Sequence, residues 1–349
     1  MNVAFDLLEQ MYVTPGQFRE WPDEVLFNCM IDMCVRFRDL PRAISLFNRM
    51  NRDSPQEQTR SLSKRHKSKL SQSQEPPRVT PSAVTYGIII KAFGQENQLD
   101  SAFRVFCEMR RARLVPSTMT YGCLLQACVK NDDIKRAVEV FEQMKQDRVP
   151  MNTVIYTTMI KAFQKSYQLE RALEIYETML VEMQHNKEVA PNIVTFNSLL
   201  DCCIRCFDVG QATQIFLQML EPDAPAACRP DLITFSIMIK GYCKQRNIEQ
   251  AFKTQQMMEE AGIKSDFALY KSLIIGCVKN NQMEMALKVY QNMRALGIRS
   301  QNVYRLEKKS GQDACSERDS DPADLTEFHE ICKQASGRHT KWRKNHFLL

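Results

Sequence analysis

One distance recurs through the whole chain and constrains every fold it can adopt. Sixteen residues after each of the aromatics Phe27, Tyr86, Tyr121, Tyr156, Phe196, Phe235 and Tyr270 stands an alanine: Ala43, Ala102, Ala137, Ala172, Ala212, Ala251 and Ala286. Seven residues beyond each alanine stands a methionine: Met50, Met109, Met144, Met179, Met219, Met258 and Met293. The 23-residue block from aromatic to methionine is therefore invariant in seven copies. The gap from methionine to the next aromatic is 12 residues after Met109, Met144 and Met258, but 36, 17 and 16 after Met50, Met179 and Met219. A length held fixed while its spacers vary marks the block as the packed unit and the spacer as the loop that absorbs insertions. A chain of 349 residues built this way is not two or three ordinary globular domains, because its core grows along one axis.

Inside a block the apolar residues follow helical spacing. Tyr121, Leu124, Leu125 and Cys128 lie at i, i+3, i+4 and i+7, Ala137, Phe141 and Met144 trace a second stripe, and Asn131-Asp132-Asp133 separates them. Each block thus predicts a helix-turn-helix hairpin in an all-α array. Alanine at the crossing point lets the paired helices approach closely while the aromatic and the methionine fill the space around it. Residues 1–23 begin in mid-pattern: Ala4, Leu8 and Met11 match the second helix of a block whose first helix is missing, which predicts a partial repeat, either the remnant of a shortened chain or an N-terminal cap. Residues 24–301 hold the seven repeats, interrupted at 51–82 by a polar stretch containing "SLSKRHKSKLSQSQEPP", read as a disordered loop. Over 302–349 the pattern decays into a capping helix begun at Asp321-Pro322, with Leu325, Phe328, Cys332 and Ala335 as its stripe, and a basic tail around Lys341, Trp342, Arg343 and Lys344.

Composition narrows the functional classes. Hydrophobic residues at 44% and charged residues at 25% fit a folded water-facing chain, and no apolar run reaches the roughly 18 residues of a spanning helix. No membrane role is expected. The first eighteen residues carry no Lys or Arg but do carry Asp6 and Glu9, so no secretory or transit peptide is visible. Thirteen cysteines, scattered and odd in number, suit a reducing compartment. The net charge of +6 matters only if it gathers on one surface.

The stretches "AVTYGIIIKAFG", "NIVTFNSLLDCC" and "DLITFSIMIKGYCKQRNIEQAF", with the linkers "GIKSD" and "CRPD", resemble the pentatricopeptide repeat family, in its P-type arrangement, over about residues 24 to 301. Tetratricopeptide repeats have a similar hairpin, but their 34-residue period and W-x₂-L-G-x₂-Y signature are missing here. The resemblance implies a right-handed superhelical solenoid of about seven 35-residue repeats that binds single-stranded RNA in its concave groove, with mitochondrial or plastid location and a role in RNA processing, stability or translation. It also implies that each base is read by the residue after the aromatic together with the residue that ends the repeat.

Those pairs are Asn28 with Ser82, Gly87 with Ser117, Gly122 with Asn152, Thr157 with Asn192, Asn197 with Asp231, Ser236 with Asp266, and Lys271 with Gln301. By the family's pattern Asn28/Ser82 would read cytosine, Thr157/Asn192 adenine, Asn197/Asp231 uracil and Ser236/Asp266 guanine; the Gly87, Gly122 and Lys271 pairs depart from it, which gives a site near C-N-N-A-U-G-N. Two residues before each aromatic, Val25, Val84, Met119, Val154, Val194, Ile233 and Ala268 would clamp the bases, although ordinary packing explains such residues equally well.

A further register is visible without the resemblance. Nine residues after the aromatic stand Arg36, Lys130, Lys165, Arg205, Lys244 and Lys279, with Gln95 the exception. Cations at helix C-termini complement the helix dipole, worth about 0.3–1 kcal/mol each; spaced one per repeat along a groove, they also suit phosphates.

Catalysis is not expected. Cys203-Ile-Arg-Cys206 is a lone C-x-x-C, and cysteine recurs in the same slot at Cys34, Cys128, Cys203 and Cys277, as a small core residue would. His329-Glu330-Ile331-Cys332 lacks the second histidine of a zinc protease and the H-x-E of a deaminase. No phosphate loop or nucleophile elbow appears, and the 48 residues after the seventh repeat are too few for a nuclease or deaminase domain. No metal and no cofactor are expected. The partners expected are single-stranded RNA and proteins of RNA processing or translation. The rival reading is a protein-protein scaffold of tetratricopeptide type, for which neither the cations nor the polar pairs would be required.

Overall fold

In a computed structural model, which describes residues 2–13, 22–52, 79–221, 225–298 and 328–334, every block is a pair of α-helices. The first helices are Glu24–Arg36, Ala83–Gln95, Thr118–Lys130, Thr153–Lys165, Ile193–Arg205, Leu232–Lys244 and Phe267–Lys279. Their partners are Leu40–Arg52, Leu99–Arg111, Ile134–Gln146, Leu169–Met183, Val209–Leu220, Ile248–Glu260 and Met283–Ala295. No strand occurs among the described residues, and none of their helices is long and apolar enough to cross a membrane.

The constant block length has a local cause. In the third repeat Asp132 takes a left-handed conformation (φ 57°), and the next amide, Asp133 N, donates to Cys128 O at 3.0 Å, closing the first helix with a Schellman turn. Asp133 Oδ1 then accepts from Arg136 N at 3.0 Å and starts the second helix. The same left-handed residue recurs at Arg38, Asn97, Tyr167, Phe207, Arg246 and Asn281, so one turn geometry serves all seven hairpins.

The repeated residues make the core. All seven alanines are fully buried, the seven methionines are at most 2% exposed, and all the marker aromatics but the half-buried Phe196 are buried. Each of the first five hairpins also sends a second-helix aromatic edge-on to the next marker: Phe47 to Tyr86 (5.2 Å between centroids), Phe106 to Tyr121 (5.5 Å), Phe141 to Tyr156 (5.9 Å), Tyr176 to Phe196 (5.9 Å) and Phe216 to Phe235 (5.5 Å). Such T-shaped contacts add about 0.5–1.5 kcal/mol beyond burial and tie one repeat to the next.

The chain divides into two compact units, Met1–Ala162 and Phe163–Leu349, with the boundary inside the helix Thr153–Lys165. In the first unit, helix Asn2–Val13 buries Leu8, and its Glu9 pairs with Arg49 at 2.7 Å. First helices pack on first helices of the following repeat, and the second helices Leu40–Arg52 and Leu99–Arg111 pack both on their own first helix and on the next one. Of the stretch 51–82, Asn51 and Arg52 still belong to the second helix of the first repeat, Ser82 caps the helix that follows, and residues 53–78 fall outside the described chain.

In the second unit the longer spacers are folded. The fourth repeat's second helix runs on to Met183, and 3₁₀ turns at Lys187–Val189 and Ala226–Cys228 bury Val189 and Cys228. First helices again pack on one another. Here the approach is very close: a Cβ at Gly241 would collide with Ile204, and one at Gly276 would lie 2.8 Å from Cys243 Cβ. Residues 328–334 are helical, with Phe328, Ile331 and Cys332 buried and the Phe328 ring 5.1 Å from that of Tyr290. The expected helix start at Asp321-Pro322, with Leu325 and Ala335, lies outside the described residues, as does the basic tail.

Candidate nucleic-acid interface

Each first helix presents one exposed face, on which the clamp and cation registers read from the sequence fall, while the first members of the pairs lie beside it, half-buried or, for Thr157, buried. In Leu232–Lys244 the clamp, pair and cation positions are Ile233, Ser236 and Lys244, at i, i+3 and i+11, which 3.6 residues per turn places within about 80° of arc. The apolar clamp positions Val25, Val84, Met119, Val154, Val194 and Ile233 are 44 to 72% exposed, and Ala268 is exposed as well. Packing therefore does not account for them. Apolar side chains held in water at the same place in successive repeats form, within each unit, an apolar row that no other described residue covers.

Among the described residues, the second members of six pairs, Ser82, Ser117, Asn152, Asn192, Asp231 and Asp266, each cap a first helix. Asp231 Oδ1 accepts from Thr234 N at 2.8 Å, Asn192 Oδ1 from Thr195 N at 3.1 Å, Asn152 Oδ1 from Ile155 N at 3.1 Å, Asp266 Oδ1 from Leu269 N at 2.8 Å, Ser82 Oγ from Val84 N at 3.1 Å and Ser117 Oγ from Thr120 N at 3.3 Å. Ser, Asn and Asp stand there because they are the preferred N-caps, which is a structural requirement independent of any base.

In the second unit the two members of one pair meet directly. Asn197 Nδ2 donates to Asp231 Oδ1 at 3.3 Å, and the buried Thr234 hydroxyl lies 2.7 Å from Asn197 Oδ1 and 2.8 Å from Asp231 Oδ1. Burial alone would raise the Asp231 carboxyl; the bonds from Thr234, Asn197 and the Ile233 amide outweigh it and hold the group below the usual carboxylate range. In the first unit Thr85 Oγ1 donates to Asn28 Oδ1 at 2.7 Å and accepts from Ser82 N at 3.2 Å, bridging that pair, while Asn28 Nδ2 reaches Glu24 at 3.1 Å. At Gly87 the absent side chain leaves room in front of Thr120 Oγ1, 3.4 Å from where a Cβ would stand, and a Cβ at Gly122 would lie 3.5 Å from Ile155.

The threonines Thr85, Thr120, Thr195 and Thr234, all at most 1% exposed and each bonded to the cap residue before it, were not foreseen. Their signal was present, since each directly precedes a marker aromatic. Ser236 and Lys271 are half-buried, Thr157 is only 6% exposed, and Gln301 lies outside the described residues.

The cation register is exposed throughout, and several of its members also serve the fold. Arg36 pairs with Asp32 at 2.7 Å, Arg205 with Asp201 at 2.6 Å, and Lys130 Nζ donates to Gln95 O at 2.6 Å, at the end of the preceding first helix. Lys244 and Lys279 line a groove of about 580 Å³ in the second unit, together with Lys240 and Arg246. A second set of cations, Lys91, Lys161 and Lys240, was missed although it recurs five residues after its aromatic. Lys91 lies 3.8 Å from Asp32.

The cysteines of the recurring slot, Cys34, Cys128, Cys203 and Cys277, are fully buried. Burial above all pushes the Cys203 thiol up to about 12, with Asp208 and Cys206 adding to the shift. Such thiols are inert packing groups at neutral pH.

Comparison with known proteins agrees with this architecture. The family described as the pentacotripeptide-repeat region of PRORP matches residues 118–297, the PPR repeat family matches 81–130, and the PPR repeat matches 25–54. A pentatricopeptide repeat-containing protein of Arabidopsis thaliana is 31% identical over 72 residues, 21% of this chain and 14% of that protein. A second from the same plant, described as mitochondrial, is 28% identical over 79 residues, 23% of this chain and 13% of that protein.

The crystal structure of the pentatricopeptide repeat protein PPR10 from maize superposes on 96% of this chain and 47% of its own, with a TM-score of 0.56 at 16% identity. PPR10 in complex with an 18-nt psaJ RNA element covers 87% of this chain and 44% of its own, with a TM-score of 0.52 at 18% identity. The chain thus spans less than half the length of PPR10 and a small part of its curated relatives, and the structural likeness shows the fold, an all-α helical-repeat solenoid. Because the family match covers more than half of the chain and falls on the repeats whose aromatic, alanine and methionine build the hairpin core, this chain belongs to the pentatricopeptide repeat family.

Proposed function

We propose that this protein binds single-stranded RNA along the exposed face of its first helices, within each unit, with selectivity from the pair residues. The observation that carries the reading is the coincidence on one helix face of an exposed apolar row, a polar seam and a row of cations. Apolar side chains can hold a base by its faces, the seam can bond its edge, and cations neutralise the backbone. PPR10, solved with an RNA element, shares the fold. The reading extends to a non-catalytic role in organellar RNA processing, stability or translation, for which the mitochondrial relative is a pointer, and to a solenoid over residues 24–301 flanked by a partial repeat at 1–23 and capping residues at 302–349.

The test is filter binding of the chain to random single-stranded RNA, duplex RNA and single-stranded DNA in competition. Preference for single-stranded RNA supports the reading; binding to none of them favours a protein scaffold. Selectivity is read by a double substitution. Replacing Asn197→Thr and Asp231→Asn, the residue types of Thr157 and Asn192, should move the selected base at one position from uracil to adenine. An unchanged selection profile rejects the pair assignment.

A further inference from the structure

The turn residue that ends each first helix must take a left-handed conformation, for which glycine or asparagine is the undemanding choice. The second unit instead places Tyr167, Phe207 and Arg246 there in three successive repeats, at φ 57°, 62° and 63°. For bulky side chains this is strained backbone, which persists where something else requires the side chain. Packing is not that requirement, since the Tyr167 and Phe207 side chains are 63% and 77% exposed, although the Tyr167 hydroxyl also bonds Arg205. At the same position Arg38, Asn97, Asp132 and Asn281 show what the turn accepts without an aromatic ring.

The surroundings of Phe207 indicate the chemistry. Its ring lines the 580 Å³ groove with Lys240, Lys244, Arg246 and Lys279, four cations against the single carboxylate of Asp201, and that carboxylate is already bonded to Arg205 at 2.6 Å. An exposed planar ring beside cations suits a ligand with both a π-face and negative charge. Arginine offers a planar face of its own to stack against a base.

We propose that Phe207 and Arg246, with Tyr167 in the same turn position, form a stacking edge for unpaired nucleobases at the cationic side of the groove, separate from the pair residues and tolerant of base identity. This rests on the single-stranded RNA reading above. Every base has a π-face, so the edge raises affinity without selecting sequence.

The test compares the parent chain, Phe207→Gly and Phe207→Trp for affinity to single-stranded RNA and for melting temperature. Glycine removes the ring and relieves the turn, so Phe207→Gly should bind about tenfold more weakly, in line with the loss of one stacked base, while melting at the same or a higher temperature. Phe207→Trp should restore binding, with its fluorescence quenched by the oligonucleotide but not by a polyphosphate that carries no bases. Unchanged affinity in Phe207→Gly overturns the stacking edge and leaves the RNA reading standing. A joint fall in affinity and melting temperature also overturns it, since the ring would then belong to the fold. Failure of the parent chain itself to bind RNA removes both proposals.

Discussion

At the residue scale, one side chain often meets two demands. Asp231 caps the helix Leu232–Lys244 and bonds Asn197 across the seam. Its folded carboxyl titrates below the unfolded value near 3.9, so its stabilisation is complete above that value and is lost as pH falls through the folded one. The melting temperature of the parent should therefore fall more steeply below about pH 4 than that of Asp231→Asn, which still caps but does not titrate; equal slopes in paired thermal melts would contradict the shift. Thr234 is fully buried and touches both pair residues. Thr234→Val keeps the shape and removes the hydroxyl, and should lower stability by about 1–3 kcal/mol, the penalty of a buried polar group left unsatisfied, measurable by urea unfolding. Residues at this scale were partly legible. The caps appear in the sequence as Ser, Asn or Asp before an apolar helix, but a cap and a base reader use the same residue types, and only the placement of the seam shows that Asp231 does the first. The threonines escaped notice because a residue beside a conspicuous aromatic reads as helix interior until a neighbouring helix supplies its partner.

At the element scale the hairpin was legible, since alanine, methionine and aromatic spacing express one packing geometry repeated seven times. The clamp positions show where sequence runs out: Val84 or Ile233 next to a core aromatic has the periodicity of a buried residue, and exposure depends on which face of the helix the next repeat covers. The spacers after Met179 and Met219 were equally opaque, because nothing local distinguishes a loop from a helix carried on to Met183 with a 3₁₀ turn behind it. Close approach of first helices is likewise a tertiary fact. Gly276 faces Cys243 with no room for a methyl group, so Gly276→Ala should push the sixth and seventh first helices apart and reduce stability by about 1–3 kcal/mol despite alanine's higher helix propensity. A melting temperature equal to or above that of the parent would show that the contact yields.

At the scale of the whole molecule, a net charge of +6 on 349 residues is modest, and its effect depends on position. Six cations at one helical position and three more at another share the exposed first-helix face with the apolar row. Ion pairs such as Arg36 with Asp32 and Arg205 with Asp201 tie some of these cations to the fold, and exposed pairs of this kind contribute little to stability, about 0–1 kcal/mol, so a phosphate can compete for them. The salt dependence of affinity for single-stranded RNA tests this most directly. With six phosphates neutralised, log K should fall against log salt with a slope of about −4, and the triple variant Lys130→Gln, Lys244→Gln, Lys279→Gln should reduce that slope to about −2, at roughly 0.7 per contact. A flat response in the parent, or a slope unaltered in the triple variant, would contradict the assignment of this face to RNA.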